Sequence, residues 1–518
     1  MDSATENEKS RTPMQDVNDA YKAIKFGYFH IKLLCVAFVG IIANVLVTGS
    51  TAFLLPSAEC DLNMNLIKKG LLNATPYVGM LLVSAVAGFL TDTFGRKMFL
   101  KIGFGGMFFF TIIAGSSQTY EVLLAAKFFE GAMFAISISA SLTLTSEFCH
   151  TDVRDQVVLC QSSLAAAAQI VVPAMAWGVL TNDWRVSFFD GRIVLNTWNF
   201  YLYIMSLWSL VAFIMYSAIP ESPKYLITQK KYAEAKEILI KLYKENTGKP
   251  AERYPCLYMW EDEIKREQIQ DALEHHTSPR KQISNGLINI KVLFRRPMFA
   301  YLILIGFMNL MIVGKYNVLR LWFPQLSTIV ERYNIDGNND LCVSLDKHVS
   351  ELKLKGSNVT QIEEVCVPAK SGTETYINSI IMGCVCILPY FITGVLVNRV
   401  GKKVLLVVSG LICIGSTVGL RWANSKTTMV ALFSIVVAVT QTMKSLVQAS
   451  TVELFPTSVR TLAVSLTMSC ARIGTLIGNV MFPILLDRGC VVPFFTMAGV
   501  MSCVTVISMF LPKKKAPS

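Results

Sequence analysis

Charge is what this sequence lacks. Only 16% of its 518 residues are Asp, Glu, Lys or Arg, against about 25% in soluble globular chains. So few charges cannot clothe a water-solvated surface, and disordered, coiled-coil and fibrous classes fall with that, since they need charge or low complexity. The 13 cysteines are ordinary usage for this length, which excludes a small disulfide scaffold. No Gly-x-x-x-x-Gly-Lys-(Ser/Thr) loop occurs, so ATP-driven transport is unsupported. His275 and His276 have no partner at metal-ligand spacing, and no nucleophile-and-base constellation stands out. No metal, no cofactor and no enzyme are expected.

Apolar residues fill the space that charge leaves. The chain is 53% hydrophobic with a mean hydropathy of +0.47, so its net charge of +12 points to a membrane protein with a basic bias on one side, not to a nucleic-acid binder. The polar first 29 residues show no short apolar run beside a small-residue cleavage site, so the first span is expected to do the targeting. Apolar runs lie at about 31–54, 72–91, 98–116, 121–144, 157–180 and 198–219, then at about 298–326, 374–397, 403–421, 428–450, 461–482 and 491–511. The expected fold is an all-α membrane protein of twelve transmembrane helices in two six-helix halves, 30–219 and 298–511. Segment 1–29 precedes them, linker 220–297 joins them, and a tail, 512–518, follows. Apolar residues from Lys231 to Asn246 recur at helical spacing. That amphipathic helix either packs on the bundle or binds calmodulin or a lipid surface.

Orientation follows from basic residues in short loops. Arg96, Lys97, Arg154, Arg399, Lys402, Lys403 and Arg460 fall on one side, with Lys513, Lys514 and Lys515 of the tail. Both termini are therefore expected in the cytoplasm. The opposite side receives Cys60, Cys342, Cys366 and Cys490, and the sequon at Asn358 in the loop 327–373. Asn358 is the expected glycosylation site, and Cys342–Cys366 the expected disulfide, with Cys60 and Cys490 as competing partners.

The chain repeats itself. Gly88-Phe-Leu-Thr-Asp92-Thr-Phe-Gly95-Arg96-Lys97 returns 306 residues later as Gly394-Val-Leu-Val-Asn398-Arg399-Val-Gly401-Lys402-Lys403. Glu147 and Arg154 return as Glu453 and Arg460 at the same offset. Two loop motifs sharing one offset argue for a duplicated half. With Pro220-Glu221-Ser222-Pro223-Lys224, these motifs resemble the major facilitator superfamily, in the region of the sugar porters and organic cation/anion carriers. Leu55-Pro56-Ser57-Ala58-Glu59 and Trp322-Phe-Pro324 are similar to the synaptic vesicle glycoprotein 2 and SVOP-like branch, although the loop after span seven is far shorter than in the vesicle glycoproteins.

The resemblance implies alternating access for a small organic solute. Gly88, Asp92, Gly95, Arg96, Glu147, Arg154, Glu221, Asn398, Arg399, Glu453 and Arg460 are then the expected latch between the halves, or else interfacial charges that fix topology. Thr93 stands where such loops usually carry an arginine.

Charges inside spans narrow the solute, because an ionisable group at the bilayer centre is costly unless it serves a cavity. Arg472 lies twelve residues beyond Arg460, ~18 Å along a helix and near the midplane. In the organic-ion carriers the corresponding position tends to be basic for anions. Arg472, Lys444, Lys127, Glu130 and Asn44 are the expected substrate-binding residues. Lys127 and Glu130, three apart, are either a self-satisfied pair or a proton site. Lys315 and Arg320 either snorkel from the end of span seven or point inward. An organic anion is favoured over an organic cation or sugar, and a non-transporting vesicle protein acting through partners is the other class left open. The partners implied are a small-molecule substrate and the bilayer, of the plasma membrane or of secretory or synaptic vesicles, with no nucleic acid. A monomer is compatible with this reading.

Overall fold

In lipid, backbone N–H and C=O groups have no water to bond, so long apolar runs close their hydrogen bonds within helices. A computed structural model describes residues 13–190, 192–261, 263–265, 296, 298–333, 341–357, 371–455 and 457–511 of this chain. Asn358, Cys366, His275, His276 and the tail lie outside the described residues.

The first half comprises α1 (Pro13–Ile24), α2 (Tyr28–Ala58), α3 (Leu66–Phe94), α4 (Arg96–Gly115), α5 (Tyr120–Glu147), α6 (Thr151–Leu180) and α7 (Thr197–Ala218). The linker forms α8 (Pro223–Thr228) and α9 (Tyr232–Thr247). The second half comprises α10 (Met298–Tyr333), α11 (Leu341–Ser357), α12 (Thr373–Val385), α13 (Leu388–Val400), α14 (Lys402–Gly419), α15 (Lys426–Leu454), α16 (Thr457–Leu486) and α17 (Val491–Ser508). Among the described residues, ten helices are long and apolar enough to cross a membrane. α3 and the pair α12–α13 stand where the second and eighth spans are expected. The eighth is split ahead of Leu388-Pro389, where proline has no N–H to continue the ladder.

Helical turns run past the ends of several apolar runs, because polar residues at a helix end need not leave the helix. α10 is the strongest case, continuing seven residues beyond 326 to Tyr333. The loop between α6 and α7 holds an antiparallel hairpin, β1 (Arg185–Phe188) with β2 (Ile193–Asn196), in which Arg185 faces Asn196. The hairpin, α1 and α11 were not foreseen from periodicity.

Each half has its own core. Buried Ile305, Trp322, Phe433 and Phe494 centre the second, and Phe104, Leu144 and Tyr216 one part of the first. Close helix approach depends on glycine at Gly131, where a Cβ would overlap the Pro76 carbonyl, and at Gly474, where it would overlap that of Leu310. The amphipathic helix α9 buries Ala235, Leu239 and Leu242 in the same cluster as Val17 and Tyr21 of α1. It packs on the bundle, on the side of Gly95.

Candidate functional site

A cavity of about 510 Å³, counted out to its mouth, lies between the halves. Phe53 of α2 and Gln169 of α6 line it from the first half, and Tyr316 and Arg320 of α10, Ser379 of α12 and Gln441 of α15 from the second. On the side of Cys490 the halves touch. Phe53 stacks on Tyr376 of α12 with ring centroids 6.0 Å apart. Nearby, a Cβ on Gly70 of α3 would sit 2.9 Å from the Pro483 ring of α16.

Arg320 is the charged residue among the described ones that line the wall. One Nη donates to the side-chain carbonyl of Gln169, and the other reaches the backbone carbonyl of Thr48 at 3.5 Å. Its guanidinium carbon lies 5.9 Å from the centroid of the Tyr316 ring. The Lys444 ammonium stands 5.3 Å from the same centroid. Two cations from different helices therefore share one ring of the wall, although only Arg320 itself lines the cavity; each is attracted to the negative face of the aromatic system, while the two like charges repel one another. Arg320 does not snorkel: thirteen residues separate it from Tyr333, ~20 Å of helix. Lys315 turns inward as well, donating to Thr417 Oγ1 at 2.7 Å and to Cys413 Sγ at 3.2 Å.

The other expected substrate ligands lie elsewhere. Arg472 donates to the Met80 carbonyl of α3 at 3.3 Å and is not among the residues lining the cavity. It sits at mid-helix as expected but faces a neighbouring helix, where a backbone carbonyl accepts one of its five N–H donors. Lys127 and Glu130 form a buried pair at 2.8 Å, with Ser50 on the ammonium at 3.3 Å and Thr111 on the carboxylate at 3.0 Å. Such hydrogen bonds offset the desolvation of both charges, which is the self-satisfied alternative. Asn44 accepts from Ser137 Oγ at 2.7 Å and ties α2 to α5. Of the five residues expected to bind substrate, only Lys444 meets a residue of the cavity wall.

The repeated loops are built alike. Gly95 has φ +102° and Gly401 φ +87°, which is why glycine recurs at this point of both motifs. Glu221 accepts the Lys97 N–H at 3.1 Å, at the N-terminus of α4, where a carboxylate is favoured by the helix dipole. Arg96 pairs with Glu147 at 3.0 Å and lies over the Tyr225 ring; Lys402 pairs with Glu453 at 2.7 Å. Both of these pairs are internal to one half. Lys402, and not the exposed Arg399, meets Glu453. Gly88 has open space where a Cβ would stand. The side chains of Asp92, Arg154, Asn398 and Arg460 lie outside the described ones.

The expected disulfide is corrected. Cys342 bonds Cys490, with Cα atoms 5.2 Å apart, because α11 folds back onto the start of α17. The Cys490 N–H also donates to Asp346 at 2.8 Å, which fixes the same approach. Among the described residues no group of three His, Cys, Asp or Glu side chains could hold a metal ion.

Residues 23–312, more than half of the chain, match the family described as Sugar (and other) transporter, and residues 371–518 match the Major Facilitator Superfamily. The chain belongs to the sugar (and other) transporter family. Among curated relatives, this transporter is 24% identical to synaptic vesicle glycoprotein 2B of Rattus norvegicus over 313 residues, 58% of its own length and 45% of that protein's. It is 24% identical to synaptic vesicle glycoprotein 2A of Homo sapiens over 241 residues, 46% and 32% of the two lengths. The chain thus spans less than half the length of these curated relatives. Its fold matches the partially occluded inward-open xylose transporter XylE from E. coli, with a TM-score of 0.62 and 13% identity over 94% of this chain and 100% of that one.

The chain is an integral multi-pass membrane protein of a transporter family. Its cavity is walled by both halves.

Proposed function

We propose that this transporter moves a small organic anion by alternating access, and that Arg320 and Lys444 hold it. One observation carries the reading: the two cations converge on Tyr316 at the cavity wall, and none of the described residues that line the cavity is an aspartate or glutamate. A guanidinium offers a carboxylate or sulfonate two parallel hydrogen bonds, and it does so more strongly where water is scarce. Arg320 replaces Arg472 as the anion ligand of this reading. The basic loops support a cytoplasmic position for the Gly95 side and both termini.

A neutral polyol is the second reading, favoured by Gln169, Gln441 and Ser379 in the same wall. Uptake by reconstituted protein of matched sets of organic anions, organic cations and sugars separates the two. Accumulation of anions alone supports the first, and accumulation of sugars alone the second.

A further inference from the structure

Arg320 belongs to the second half, yet its hydrogen-bond partners Gln169, Thr48 and the Tyr77 hydroxyl of α3 all belong to the first. The contact lies beside the Phe53–Tyr376 stack, where the halves close over the cavity toward Cys490. Gly383 of α12 adds to that closure, since a Cβ there would meet the Ile170 side chain at 3.2 Å. The tie is incomplete. A guanidinium has five N–H donors, and the buried Nε of Arg320 has no hydrogen-bond partner.

We propose that the Arg320–Gln169 contact is a strap that keeps the Cys490 side shut in the empty carrier, and that the transported anion opens it by taking the guanidinium from Gln169. This rests on the anion reading above. The exchange is favourable because a carboxylate forms a charge-assisted, two-point bond with a guanidinium, whereas an amide carbonyl offers one neutral acceptor. A ligand shifts a conformational equilibrium only through different affinities for its two states. Here the difference has a named source: with the Cys490 side shut, the anion competes with Gln169, Thr48 and Tyr77, and with it open the halves have parted and the guanidinium is unopposed. Gln169 is accordingly a positioning residue, acting through Arg320.

The test reads the distance across the Cys490 side in the full-length protein in lipid nanodiscs, by pulsed electron resonance between spin-labelled unnatural residues at Asn63 and Thr373. Both positions are exposed, one in each half. Without ligand, Gln169→Ala should raise the open-to-shut ratio by roughly fivefold or more, the scale of a two-state coupling. Gln169→Glu, which turns the strap into an ion pair, should lower that ratio. Opposite shifts from two substitutions at one site are not what a folding defect produces. Benzoate and succinate, as probes, should open the wild type, and should leave Arg320→Gln unmoved.

A ligand-free distribution unchanged in both Gln169 variants overturns the strap, whatever the solute. Shifts in both variants, with benzoate and succinate taken up by the wild type but not moving it, overturn displacement by the anion. If the wild type takes up sugars and neither probe, the anion reading fails and displacement falls with it, while the variants still decide the strap.

Discussion

Arg96 holds Glu147 at 3.0 Å, and 306 residues further on their counterparts Lys402 and Glu453 hold each other at 2.7 Å. The duplicated halves have kept the pair as well as the motif, and in both the partners lie within one half. If the pair braces α4 against α5, then Arg96→Ala and Glu147→Ala should each slow transport, and the exchanged pair Arg96→Glu with Glu147→Arg should recover part of the loss. The coupling should be about 1 kcal/mol from a double-mutant cycle on thermal stability. Strictly additive effects would show that the two charges act separately.

The repeated glycines make a differential prediction. Both adopt a positive φ, but a Cβ at Gly95 would also stand 2.7 Å from Glu221 Oε2, whereas at Gly401 it would meet nothing within 4 Å. Each alanine carries the strain of an essentially glycine-only backbone region, with φ +102° and ψ +148° at Gly95 and φ +87° and ψ +149° at Gly401, roughly 1–3 kcal/mol. Gly95→Ala should therefore lower the melting temperature in detergent more than Gly401→Ala. Equal losses would mean that the Glu221 contact relaxes without cost.

Non-reduced peptide mapping should find Cys342 joined to Cys490. Recovery of a Cys342–Cys366 peptide would contradict this and restore the pairing that sequence order suggests.

His348 gives α11 a pH dependence. The side chain is buried, its Nδ1 3.4 Å from the Tyr333 hydroxyl; Lys69 and Arg332 face it as cations, Glu59 and Glu351 as anions. Burial, and after it the Lys69 ammonium, holds its pKa down at about 4 from the ordinary 6.5. The undocked helix therefore binds more protons than the docked one between these values. Docking is fully favoured above about pH 6.5 and weakens as the pH falls toward 4, by about 3 kcal/mol in all. Hydrogen exchange within α11, corrected for intrinsic rates, should speed up at pH 5 relative to pH 7, and His348→Gln should flatten the difference. Unchanged protection in the native protein would mean that α11 does not report on His348.

Spans, halves and the glycine motifs were legible because lipid forces apolar runs into helices and duplication leaves a fixed offset. Which neighbour a helical side chain faces was not. Arg472 was correctly placed along its helix, yet it turns toward α3 and the Met80 carbonyl. Arg320 was left undecided because the apolar run ends near 326, six residues beyond it, within reach of snorkelling; α10 continues to Tyr333 and keeps it deep. Cys490 could be chosen over Cys366 only once α11 was seen to fold back on α17.

The most direct measurement is uptake of radiolabelled benzoate or succinate into proteoliposomes by the wild type and by Arg320→Gln, with equal amounts of folded protein confirmed by thermal unfolding. Loss of a charge-assisted hydrogen bond of about 2–3 kcal/mol corresponds to a fall of roughly 30- to 150-fold in uptake efficiency. The account predicts anion uptake by the wild type and a fall of that order in Arg320→Gln. Undiminished anion uptake in Arg320→Gln, or a wild type that carries cations and no anions, would contradict it.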